Sequence, residues 1–68
     1  MNAAELRAAI ARKGRTYRSL AKALGVSEQT LYNKLNGESE FRASEIGTIA
    51  TELGLSPLET NAIFFGNT

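Results

Sequence analysis

The chain is 68 residues long with no cysteine and no histidine, which makes one small domain and excludes a disulfide framework, a thiolate metal site and the commonest general base and zinc ligand. No apolar run approaches the roughly 18–20 residues that span a bilayer, and the first residues lack a signal-peptide layout, so a cytoplasmic protein without membrane contact is expected. The net charge of +1 is unevenly spread: residues 1–27 hold Arg7, Arg12, Lys13, Arg15, Arg18 and Lys22 against Glu5, a balance of +5, while residues 28–68 hold Lys34 and Arg42 against six glutamates, a balance of −4.

Five helices are predicted, and no strand. Asn2 precedes the first, with Glu5 three residues on, close to a capping box. Leu6, Ala9, Ile10 and Lys13 share one face of it, and Gly14 ends it. Thr16 reads as the N-cap of a second helix from Tyr17 to Leu24, and Gly25 suits the left-handed residue just after it. Ser27 caps a third helix from Glu28 to about Leu35, closed by Gly37. Residues 38–42 form a loop in which Phe41 is expected to anchor onto the core. A fourth helix carries Ile46, Ile49, Ala50 and Leu53 on one stripe and ends at Gly54. Ser56-Pro57-Leu58-Glu59 combines an N-cap serine, a first-position proline and a box glutamate, so a fifth helix follows, carrying Leu58, Ala62, Ile63 and Phe65. The expected core is Leu6, Ile10, Leu20, Ala21, Leu24, Val26, Leu31, Leu35, Ile46, Ile49, Ala50, Leu53 and Ile63.

The second and third helices, joined by Gly25-Val26-Ser27, have the layout of a helix-turn-helix, whose second helix enters the DNA major groove. The pattern Leu20-Ala21, Leu24-Gly25-Val26-Ser27, Thr30-Leu31, Asn36-Gly37 resembles the phage lambda-type Cro/repressor (XRE-like) helix-turn-helix family. Glu40-Phe41, Ser44-Glu45-Ile46, Ile49-Ala50, Leu53, Leu55-Ser56 and Ile63-Phe64-Phe65 extend the likeness to the small Cro-like regulators. The resemblance implies an all-α, compact five-helix, lambda-repressor-like DNA-binding domain spanning residues 1–68. The chain departs from the family at three positions. Tyr17 stands where a phosphate-binding glutamine is usual, Lys34 where the residue is often apolar, and Arg42 where a Thr or Ser cap is normal.

The resemblance also implies base contacts from Glu28, Gln29 and Asn33, with Thr30 and Tyr32 close by, on a reading helix over residues 28–36. Side-chain chemistry agrees: Gln and Asn pair bidentately with adenine, Glu accepts from cytosine N4, and Thr meets a thymine methyl or a phosphate. Glu28 equally suits the positive end of its own helix dipole, and Tyr32 could instead be a half-buried lid. Phosphate contacts are expected from Thr16, Tyr17 and Arg18 at a helix N-terminus, from Arg12, Lys13 and Arg15 just before it, and from Ser27, Lys34, Asn36 and Arg42 around the reading helix. The partner implied is a double-stranded DNA operator, bound by a homodimer.

Phe64 and Phe65 are adjacent, so the core cannot easily take both. They are the candidate dimer or partner interface, the alternative being Phe64 folded back as a C-terminal plug. A second reading of the chain is a protein-interaction module, an antirepressor or antitoxin acting through a phage regulatory protein. The acidic half and the two phenylalanines permit it. An enzyme is not expected, because scattered glutamates without aspartate, histidine or cysteine offer no acid/base, metal or cofactor site. The length suits either a complete Cro-sized protein or the N-terminal domain of a larger repressor.

Overall fold

The computed structural model describes residues 1–66. The helices are α1 (Ala3–Arg12), α2 (Tyr17–Leu24), α3 (Glu28–Leu35), α4 (Ala43–Leu53) and α5 (Pro57–Thr60), and α5 runs on into a π-helical turn, Asn61–Phe65. The caps act as their residue types require. The side-chain oxygens of Asn2, Thr16, Ser27 and Ser56 accept the N–H of Glu5, Ser19, Thr30 and Glu59 respectively, three residues on. Arg42 precedes α4 without an acceptor side chain. Instead the Glu45 carboxylate reaches back to take the Arg42 N–H at 2.7 Å, half of a capping box.

Between α2 and α3 the chain must reverse within three residues. Gly25 does this at φ 73°, in the left-handed region. The Val26 N–H then reaches the Ala21 carbonyl and that of Gly25 the Lys22 carbonyl, the two bonds of a Schellman turn. This bonding closes α2 and sets the angle at which α3 leaves.

The core is Leu6, Ala9, Ile10, Leu20, Ala21, Leu31, Leu35, Ile49, Leu53, Ile63 and Phe64, ringed by half-buried Tyr17, Leu24, Val26, Phe41, Ile46 and Leu55. Leu24, Val26, Ile46 and Ala50 therefore sit at the rim of the core rather than inside it, and Ala9 and Phe64 take interior places. Phe41 does anchor its loop, its ring edge-on to Phe64 at 5.8 Å.

The C-terminal segment corrects the expected register. Leu58 is 80% exposed and Phe65 60%, while Ile63 and Phe64 are buried. Leu58, Ala62 and Phe65 do share one face, but that face points outward, and the inward edge is the one carrying Ile63 and Phe64. The Asn2 N–H donates to the Ile63 carbonyl at 2.8 Å and ties this turn to the start of α1. Gly66 ends it at a close approach, where a Cβ would lie 2.8 Å from the Ala62 carbonyl oxygen. Phe64 is thus the plug over the core, and only Phe65 is left for a partner.

Candidate nucleic-acid interface

The inward side of α3 is Leu31, Lys34 and Leu35, so the opposite side is polar and open: Glu28, Gln29, Tyr32 and Asn36 are exposed, and Thr30 and Asn33 half-buried. Gln29 Nε2 donates to Asn33 Oδ1 at 3.0 Å, an i, i+4 pair along the outer face. Ser27 Oγ donates to Thr30 Oγ1 at 3.0 Å while accepting the Thr30 N–H, so both hydroxyls belong to the cap of α3. At the entrance to α3, Arg18 Nε lies 3.4 Å from Glu28 Oε2. An acidic residue at this end is favoured by the helix dipole, and Arg18 offsets the charge it would present to a polyanion.

The first turn of α2 points to the same edge. Thr16 and Ser19 cap one another reciprocally, and the N–H groups of that turn have no earlier helical carbonyl to meet. Tyr17 is half-buried and meets Tyr32 edge-to-face, centroids 5.2 Å apart at 84°. The pair clasps α2 to α3, so Tyr32 is partly the lid that its alternative reading required.

Several expected phosphate ligands have protein partners within the fold. Lys34 is buried: its ammonium donates to the Glu40 carbonyl at 3.1 Å and lies 3.4 Å from Glu45. It faces the α3–α4 loop and Phe41 rather than the outer face of α3. This corrects its assignment to the phosphate set, since a buried ammonium stays where its counter-ion is. Arg12 and Lys13 reach Glu59 of α5 at 3.6 and 4.0 Å, and Arg15 Nε donates to the Glu52 carbonyl at the end of α4 at 3.0 Å. These three lean toward the C-terminal helices. Asn36 accepts from Arg7 at 2.8 Å, which pins the end of α3 to α1. Arg7 was missed in the sequence because nothing local marks a partner on another helix. Arg12 and Arg15 stay exposed despite these partners, as do Arg18 and Arg42.

Two carboxyls are held below their ordinary range. Glu45 is lowered first by the Arg42 N–H and then by Lys34, against the cost of its burial. Glu59 is lowered first by the Ser56 N–H, with Lys13 and Arg12 adding to it. Among the described residues there is no cluster of three or more acidic side chains that could hold a metal ion. Among the same residues no helix is long and apolar enough to cross a membrane.

Two helices crossing at a tight Gly turn, the second with a polar outer face, define a helix-turn-helix. The family model described as a helix-turn-helix domain matches residues 3–63. The chain belongs to that family, the domain class of DNA-binding transcriptional regulators. No curated protein and no solved structure matches it significantly.

Proposed function

We propose that this chain is a sequence-specific double-stranded DNA-binding transcriptional regulator, a Cro-like repressor of the lambda-type (XRE-like) kind, with α3 in the major groove of its operator. The observation that carries this reading is the outer face of α3. It is a row of amide, hydroxyl and carboxylate groups with Arg18 at its entrance, chemistry suited to base edges bordered by phosphates. Gln29 and Asn33 read bases, with Glu28, Thr30 and Tyr32 beside them. Thr16, Tyr17, Arg18, Ser27, Asn36 and Arg42 hold phosphates.

The longest dimension of the domain is 29 Å. Half-sites one helical turn apart are separated by about 34–36 Å, so two half-sites require two copies. Phe65 is the side chain offered to the second copy. Selection from a randomised duplex pool at moderate salt tests the proposal. An enriched motif with dyad symmetry is the expected result. Failure of the folded protein to enrich any motif would refute it and transfer the argument to a protein partner. Gln29→Ala is expected to relax one base pair at a cost of about 1–3 kcal/mol.

A further inference from the structure

We propose that Arg7, on α1, is a positioning residue for DNA: it orients and polarises the Asn36 side chain so that the amide NH2 faces an operator phosphate at the C-terminal end of α3. The inference rests on the phosphate-holding role given to Asn36 above. Arg7 Nη2 donates to Asn36 Oδ1 at 2.8 Å, across 29 residues of sequence. Chemistry fixes which end of the amide faces Arg7. A guanidinium only donates, so it meets the amide oxygen, and reversing the amide would set donor against donor. The Asn36 NH2 is thereby directed away from Arg7, and among the described residues no acceptor takes it.

The end of α3 has little else to offer an anion. Its backbone N–H groups are spent: Asn36 donates to the Tyr32 carbonyl at 2.9 Å, Gly37 to that of Lys34 at 3.2 Å and Glu38 to that of Asn33 at 2.9 Å. The last carbonyls carry the negative end of the helix dipole, which opposes a phosphate. A cation bonded to the amide oxygen offsets that field. It also draws electron density toward the oxygen, which strengthens the amide N–H groups as donors. Arg7 can act this way because its backbone is fixed, with Leu6, Ala9 and Ile10 of the same helix in the core. Among the described residues no carboxylate lies within ion-pair distance of it. Both side chains are exposed, so a DNA backbone can reach them.

The test is methylphosphonate scanning of the selected operator, which neutralises one phosphate at a time. The proteins compared are the wild type, Arg7→Met, Asn36→Ala, the double variant and Asn36→Asp, with urea titration as the folding control. One phosphate per half-site should matter to the wild type and no longer matter to Asn36→Ala. Arg7→Met should lose its sensitivity at that same phosphate. Arg7→Met and Asn36→Ala should each lower affinity on the order of tenfold, and the double variant by little more than either. Asn36→Asp keeps an acceptor for Arg7 but removes the donor, so it should stay as stable as the wild type and bind DNA more weakly than Asn36→Ala. If Arg7 only ties α1 to α3 or complements the dipole, Arg7→Met loses stability and keeps the phosphate pattern, which would overturn the proposal. Loss of sensitivity at a different phosphate would also overturn it, by making Arg7 a contact in its own right, as would wild-type affinity in Asn36→Asp. If no phosphate depended on Asn36, the proposal and that role of Asn36 would fall together, with the reading face of α3 intact. The absence of any enriched operator would instead overturn the DNA reading itself.

Discussion

Lys34 and Glu45 show how one neighbour changes what a charged side chain can do. On sequence pattern, Lys34 belongs beside the reading face. In the fold, its ammonium faces a carboxylate at 3.4 Å, and both side chains are largely enclosed. Removing one member of such a pair strands the other, a cost of about 3 kcal/mol, whereas replacing both members by well-packed apolar side chains can be close to neutral. Glu45→Ala should therefore lower stability by about 3 kcal/mol in urea titrations, helped by loss of the Arg42 cap. Lys34→Met should leave DNA affinity unchanged, and a clear loss of affinity would restore Lys34 to the phosphate set. Glu28 is exposed and its pairing with Arg18 at 3.4 Å is an exposed one, worth little to stability. Its two readings separate in Glu28→Gln, measured by filter binding on a panel of operators. If Glu28 only complements the helix dipole, affinity rises for every sequence as a negative charge leaves the phosphates. If it accepts from cytosine N4, one base pair loses its preference.

At the scale of the element, the C-terminal turn is where periodicity misled. Four helices were legible because each is bounded by residues with a single physical role: a cap oxygen before α1, α2 and α3, the Glu45 carboxylate turned back onto the start of α4, and a glycine at positive φ after each of the four. The fifth begins as strongly, at Ser56-Pro57, yet a 3.6-residue stripe carried through it places Phe65 inside and leaves Phe64 ambiguous. The segment turns its Ile63–Phe64 edge inward instead, and no local signal marks that choice. It is held by distant partners, the Asn2 N–H and the Phe41 ring. The site divides the same way. The exposed face of α3 followed from which residues its apolar stripe buries. The pairings of Lys34 with Glu45, Arg12 and Lys13 with Glu59, and Arg7 with Asn36 join different helices, and charge counting cannot choose among them. Phe64→Ala should cost about 3–5 kcal/mol in thermal unfolding, because a large ring leaves the core and Phe41 loses its partner. Phe65→Ser should leave monomer stability within about 0.5 kcal/mol. If Phe65 meets a second copy, the same change should weaken binding to a two-half-site operator more than to a single half-site.

For the molecule as a whole, charge is better described by what is already paired than by the net value of +1. Arg12 and Lys13 share Glu59, and Lys34 has Glu45, so three of the eight cations are internally engaged by acidic groups away from α3. Of the cations placed near the reading helix, Arg18 and Arg42 remain as candidates for phosphate. Two such contacts give a slope of log K against log[salt] near −2 per domain, at about −0.9 per phosphate. Arg18→Gln should reduce that slope by about one unit and Arg12→Gln should not change it. Acid acts on the same internal pairs. Glu45 and Glu59 ionise more readily in the fold than at their ordinary value of 4.5, so the folded state binds fewer protons than the unfolded chain as pH falls. Their contribution is therefore complete above about pH 4.5 and is lost as pH drops through the depressed folded values. With no histidine in the chain, no side chain of ordinary pKa titrates between pH 5.5 and 8. Melting temperature should be level from pH 6 to 8 and fall steeply below pH 4.5. Glu45→Gln should start lower at neutral pH and fall less in acid, because it has already lost the carboxylate that protonation would remove. If the two curves stayed parallel through the acid limb, the Lys34–Glu45–Arg42 arrangement would not be what acid breaks.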